Sequence, residues 1–177
     1  VIFRVIPDNS ARLNALVSGE IDMMDGVEPE NIEEIENNED LRILTRPSLN
    51  LGYIGLTTTR EPMDNKLVRQ ALNHAIDKDT IIESFFAGQA IPAKNPIPPS
   101  VEGYNDDIEG YADDPEKAKE LLEEAGLGDG FDMELWAMPV ARPYMPDSNK
   151  VAEYVQSNLA DIGVNAEIVS YEWATYQ

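Results

Sequence analysis

Arg142 is the side chain whose setting best suits binding chemistry. It lies in Trp136-Ala-Met-Pro-Val-Ala-Arg-Pro-Tyr-Met-Pro146, and its planar fork can hold a carboxylate or phosphate by two parallel hydrogen bonds. Pro139, Pro143 and Pro146 limit how far the backbone around it can wander. The stretch therefore reads as an anion-binding arginine on a stiffened loop. The competing reading is a surface charge or a local ion-pair partner, which loop arginines commonly are.

Other reactive types give weaker patterns. His74 is the single histidine and Cys is absent, so multi-histidine metal sites and Cys-His dyads are excluded. His74 sits among Ala71, Ala75 and Ile76 at helical spacing, which favours a structural role. No Ser stands in a Gly-x-Ser-x-Gly elbow. Gly126-Leu-Gly-Asp-Gly130 lies between a helix pattern and a strand pattern, the wrong way round for a nucleotide loop. Asn105, Asp107, Glu109, Gly110, Asp113 and Glu116 match calcium-loop spacing. Their context argues against that reading, because Pro96 to Pro99 precede the loop where a helix should enter it. Paired carboxylates of the glycosidase kind carry little signal in so acidic a chain. Tyr53, Trp136, Tyr144 and Trp173 are more commonly core or rim aromatics than ligand platforms. Nothing demands an enzyme, and no cofactor or metal is expected.

The elements that must position Arg142 are legible around it. Phe131, Met133 and Leu135 alternate with Asp132 and Glu134 like a strand. Val151, Val155, Leu159 and Ile162 have helical spacing, and Val164, Ala166 and Ile168 alternate again. Strand, loop, helix, strand is a βαβ unit with parallel strands. Its first loop leaves the carboxyl end of a strand and reaches a helix amino terminus, where free N–H groups and the dipole favour an anion.

Upstream, Val1 to Ile6 reads as a strand. Pro7-Asp8 opens a helix with Ala11, Leu13, Leu16 and Val17 apolar and Gly19 as its carboxyl cap. Ile21 to Met24 reads as a strand, Pro29 to Asn37 as a polar surface helix, and Leu41 to Leu44 as another strand, which makes a second βαβ pattern. A domain crossing is expected near Ser48, before the extended run Leu51 to Leu56. Asp64 is the expected cap of a helix carrying Val68, Ala71, Leu72, Ala75 and Ile76. A further helix starts at Asp79 or Thr80 and ends near Gly88. Ala90 to Pro99 is extended and proline-rich. Asp114 caps, Pro115 begins and Gly126 follows a helix that buries Ala118, Leu121, Leu122 and Ala125.

At 177 residues and 42% apolar composition, the chain can build a real core. Its 34 acidic against 13 basic residues give a net charge of −21, which opposes nucleic acid and anionic membranes as partners. Such an excess repels itself, so a high-salt setting is expected. An unfolding midpoint flat from low to molar NaCl would count against it. No apolar run has the length needed to span a bilayer. Val1 opens a strand pattern rather than a signal peptide, and Tyr171 to Gln177 stops as a new element begins, so the chain reads as a fragment.

Pro62-Met-Asp-Asn-Lys-Leu-Val-Arg-Gln-Ala71, Ala75-Ile-Asp-Lys78, Gly88 with Pro92-Ala93, Pro96-Ile-Pro-Pro99, Gly103-Tyr-Asn-Asp106, and Asp114-Pro-Glu-Lys-Ala118 with Leu121-Leu122 and Ala125-Gly126 together resemble the substrate-binding proteins of peptide transporters. These are the extracytoplasmic receptors of ATP-driven (ABC) importers, bacterial solute-binding protein family 5. Leu135-Trp-Ala-Met-Pro139 with Arg142-Pro-Tyr144 resembles the dipeptide-binding branch more narrowly. The resemblance implies an α/β fragment of a two-lobed periplasmic-binding-protein-like clamshell (cluster C, type II). Residues 1–47 would be the carboxyl-terminal part of the first lobe up to the hinge crossing, and residues 48–177 the amino-terminal part of the second, peptide-binding lobe. It implies that Arg142 grips a peptide's carboxyl terminus with Tyr144 nearby, and Trp136 and Met138 of the same motif join them in the expected ligand-binding set. The peptide's amino group would meet an Asp in a later segment that this sequence does not contain. The implied partners are a dipeptide or short peptide and the permease's transmembrane subunits. The implied location is the periplasm or the outer face of the cytoplasmic membrane, a lipid anchor on the full-length protein being one form of the latter. Receptors of the same architecture for a nickel chelate, haem or an oligosaccharide are the alternative, and a carboxylate-pair hydrolase is a more distant one.

Overall fold

The computed structural model describes residues 1–177. The chain divides into two compact units, Val1–Pro47 and Ser48–Gln177.

In the first unit, α1 (Asn9–Val17) begins where the Asp8 carboxylate accepts from the Ala11 N–H at 2.7 Å, satisfying one of the donors that a helix start leaves open. Leu13 and Ala15 are its buried residues, and Gly19 follows with φ +74°, a left-handed turn that suits glycine. Arg12 donates to the carbonyls of Ile6 and Pro7 at 2.7 and 3.1 Å and so fastens the preceding segment to the helix. A 3₁₀ turn (Pro29–Asn31) leads into α2 (Ile32–Glu36), which buries Ile35.

The expected strands Val1 to Ile6, Ile21 to Met24 and Leu41 to Leu44 do not form, and neither does the second βαβ unit. Phe3 is 91% exposed, and Val1, Ile2 and Val5 are as open. An alternating run becomes a strand only when a neighbour takes its N–H and C=O groups, and these residues pair with none.

The second unit holds the larger core. α3 (Lys66–Ala75) buries Val68, Ala71, Leu72 and Ala75. Its cap is Asn65, whose side chain accepts from the Leu67 N–H at 2.9 Å, one residue beyond the expected Asp64. Asp64 instead offers its carbonyl to Arg69 at 2.9 Å. α4 (Lys78–Phe86) starts slightly earlier than expected, because Asp77 takes the Thr80 N–H at 3.0 Å. The Asp77 backbone N–H also reaches Asn158, and its carboxylate accepts from the Tyr154 hydroxyl at 3.1 Å. Hydrogen bonds to its carboxylate, first from the Thr80 hydroxyl, then from the Thr80 N–H and the Tyr154 hydroxyl, hold the Asp77 carboxyl below the usual carboxylate range. α5 (Pro115–Glu124) follows its sequence pattern closely: Asp114 caps it through Lys117 at 2.9 Å, Ala118, Leu121 and Leu122 are buried, and Gly126 has φ +79°.

β1 (Phe131–Trp136), α6 (Ser148–Asp161) and β2 (Val164–Val169) form the βαβ unit, with Phe131 opposite Val164 and Trp136 opposite Val169 in a parallel ladder. Val151, Ala152, Val155, Leu159 and Ile162 pack beneath it with Leu135, Val164 and Ala166. Gly130 and Gly163, both at positive φ, touch backbone to backbone where the strands begin. A side chain on Gly130 would overlap the Gly163 carbonyl, so the close approach requires glycine. α7 (Trp173–Tyr176) follows. No helix is long and apolar enough to cross a membrane.

Candidate functional site

Parallel strands end at the same edge of a sheet, so the segments leaving β1 and β2 are neighbours. Ala137 extends the ladder by donating to the Val169 carbonyl at 2.9 Å. The Met138 N–H then donates to the Ser148 hydroxyl at 2.8 Å, fastening the loop to the first residue of α6. Further along, Arg142 and Met145 exchange both backbone hydrogen bonds, at 3.0 and 2.9 Å. Pro143 and Tyr144 occupy the two central positions of that tight turn, and proline favours the first of them because its φ is preset.

The turn rests on the run after Ser48. A side chain on Gly52 would come within 2.7 Å of the Tyr144 carbonyl, too close for any other residue without displacing backbone. Gly52 thus supports the turn that carries Arg142, a contact the sequence did not reveal. A glycine inside an apolar extended run is the signal that could have found it.

Arg142 is half-buried and enters no ion pair. Its side-chain hydrogen bond goes to the neighbouring Ala141 carbonyl, from Nη1 at 3.0 Å. The guanidinium carbon lies 4.8 Å from the centre of the Trp173 ring, within cation–π range. Trp173 stacks on Tyr176 with centroids 5.9 Å apart and planes 13° from parallel. Tyr176 and Tyr171 in turn approach Trp136, at 6.1 and 4.9 Å. Trp136 is 46% exposed, and its indole N–H donates to Glu134 at 2.9 Å.

Of the four residues singled out by sequence, Arg142 and Trp136 are thus joined through the aromatic residues that follow β2. Tyr144 is half-buried on the same turn as Arg142. Met138 is half-buried and is fixed by its backbone to α6. Tyr171, Trp173 and Tyr176 were not in the expected set; their place just after the second strand of a parallel pair is the clue that points to them.

One expectation needs correcting. The start of α6 is already capped by the chain's own carboxylate, because Asp147 accepts from the Lys150 N–H at 3.1 Å and takes that donor away from a ligand. That backbone bond, the largest cause, keeps the Asp147 carboxyl below its ordinary range, and the Lys150 ammonium lies 3.1 Å from it. The chain's own carboxylate therefore fills the position favoured by the helix dipole.

His74 has a structural setting. Its Nδ1 donates to the Ala112 carbonyl at 2.9 Å and its ring meets Tyr111 edge-on at 5.1 Å. The acidic loop is fastened by Lys94, paired with Asp106 at 2.9 Å, and by Asn95, which donates to the Asn105 carbonyl.

The family model described as "Bacterial extracellular solute-binding proteins, family 5 Middle" matches residues 1–177. The chain is 44% identical over 176 residues to the Dipeptide-binding protein of Escherichia coli, covering 99% of this chain and 33% of that protein. It is 39% identical over 177 residues to Heme-binding protein A of Haemophilus influenzae, covering 100% and 32%. The solved dipeptide binding protein of Pseudoalteromonas sp. SM9913, in complex with Met-Leu, superposes with a TM-score of 0.81 at 38% identity, covering 97% of this chain and 34% of that one. The chain thus spans about a third of the length of the relatives it matches.

Proposed function

The chain belongs to the bacterial extracellular solute-binding proteins, family 5, and from that premise we propose that the full-length protein captures dipeptides or short peptides and hands them to the transmembrane subunits of an ABC importer. The family consists of substrate-binding proteins of transporters, with the mixed α/β type II fold of periplasmic binding proteins, of which this chain is a part. Capture would take place in the periplasm or at the outer face of the cytoplasmic membrane and would involve no catalysis. Residues 48–177 would contribute the beginning of the peptide-binding lobe, and residues 1–47 the end of the other lobe up to the hinge.

The observation that carries this reading is Arg142, held on a hydrogen-bonded turn at the carboxyl end of β1 with no carboxylate partner of its own. A fork so placed can take a peptide's terminal carboxylate, with Tyr144, Trp136 and Met138 lining the approach. A charge-assisted contact of this kind is worth about 1.5 to 3 kcal/mol. Main-chain contacts and enclosure must supply the remaining affinity. In the full-length protein, Arg142→Ala should weaken dipeptide binding at least about tenfold, the equivalent of 1.4 kcal/mol. Calorimetry that finds the affinity unchanged removes Arg142 from the site.

Haem is the second reading, favoured by the 39% identity to Heme-binding protein A; its propionates would offer Arg142 the same carboxylate chemistry. Parallel titrations with a dipeptide library and with haem, followed by thermal shift, separate the two, because only a true ligand raises the melting point in proportion to its occupancy.

A further inference from the structure

We propose that Trp173 is a positioning residue for Arg142, its indole face setting the plane in which the guanidinium meets a peptide carboxylate. The proposal rests on the reading that Arg142 binds that carboxylate, and it adds a residue from outside the loop.

An arginine on a loop populates many rotamers, and fixing it at the moment of binding costs entropy. A carboxylate partner could fix it beforehand, but would occupy the in-plane N–H donors that a ligand needs. An aromatic face does not have this drawback. The donors of guanidinium all lie in its plane, so a ring stacked against that plane restrains the group while using none of them.

Arg142 meets the conditions for this, with its central carbon over the Trp173 ring at 4.8 Å from the centroid, one donor on the Ala141 carbonyl, and no ion pair. Trp173 is itself held by the stack on Tyr176, which reaches Trp136 at the end of β1. The ladder explains why the two can meet. Trp136 and Val169 are register partners in parallel strands, so the loop with Arg142 and the segment with Trp173 leave the sheet at one edge.

The test uses the full-length protein, the dipeptide Met-Leu and its carboxyl-terminal amide, and calorimetry on wild type, Arg142→Ala, Trp173→Leu and Trp173→Phe. Trp173→Leu should weaken binding of the free acid by about two- to thirtyfold, the range for a cation–π contact from exposed to desolvated. It should leave the amide's affinity where it was. Trp173→Phe retains a ring and should restore most of the acid's affinity; should the Leu variant fail to fold, a selective loss for the acid with Phe, smaller in size, still supports the proposal. Equal losses for acid and amide reduce Trp173 to a structural role and overturn it, as does unchanged acid binding. If Arg142→Ala abolishes the preference for acid over amide while both Trp173 variants keep it, Arg142 stands and only the positioning role falls. If Arg142→Ala itself leaves that preference intact, the carboxylate reading falls and takes this one with it.

Discussion

Residues 1–44 and residues 131–169 carry the same kind of pattern, apolar alternation followed by a helix and alternation again, yet only the second pattern builds a sheet. Phe131–Trp136 and Val164–Val169 run side by side in a parallel ladder, and Leu135, Val164 and Ala166 are buried against α6. Val1, Ile2, Phe3 and Val5 are open to solvent. The helices do not account for the difference, since Asp8 caps α1 with the same chemistry by which Asp114 caps α5. What differs is the second strand. Alternation states which face a strand would bury, whereas the ladder needs hydrogen-bonding groups supplied by another segment.

Substitutions can sharpen this contrast. The largest effect is expected at Leu122, 1% exposed in the core of the second unit. Leu122→Ala should cost about 2 to 5 kcal/mol in that unit's urea unfolding; a loss below 1 kcal/mol would mean the α3 and α5 packing is loose. Next come the two caps. Asp8→Ala and Asp114→Ala should each lower the stability of their own unit by about 0.5 to 2 kcal/mol. Hydrogen exchange that shows α1 insensitive to Asp8→Ala would place the weakness of the first region in the helix rather than in the unpaired segments.

A smaller effect is expected from acid. Asp77 and Asp147 have folded-state pKa values below the ordinary range. Their contribution is therefore complete above the unfolded value of about 3.9 and is lost as pH falls through the lower folded values. Burial, the largest cause, raises Asp113, which works in the opposite sense and favours the folded state as it takes up a proton. Asp77→Asn should thus flatten the loss of urea stability below about pH 4, and an unchanged acid profile would show that the Tyr154 and Thr80 contacts contribute nothing there. Smallest of all, Phe3→Ala in this chain should shift stability by no more than about 0.5 kcal/mol, as at other surface positions. A loss of 2 kcal/mol or more would show that the Val1 to Ile6 segment is packed after all, and the contrast between the regions would disappear.

The elements fixed by local chemistry were legible in advance. α5 carried its cap, its first-turn proline, its apolar spacing and its terminal glycine within a dozen or so residues, and β1, α6 and β2 each showed their own period. Two neighbouring polar residues were harder to separate: Asp64 and Asn65 can both cap, and only the path of the backbone chose Asn65. At the candidate site, the arginine and its prolines could be read from the loop itself. The occupied start of α6 could not, because Asp147 reads equally well as a cap or as a surface acid until its geometry is known.

Sequence by itself determined which stretches are helices to within a residue or two, which faces they bury, and that a cation sits between a strand and a helix, because those properties depend on residues within a few turns of one another. Tertiary structure alone decided which alternating runs became strands, that Gly52 must approach the Tyr144 carbonyl, and that Trp173 lies against Arg142. Each of those outcomes needs two segments distant in the chain to arrive at one place, and their meeting is set by the packing of the whole unit rather than by either segment's own pattern.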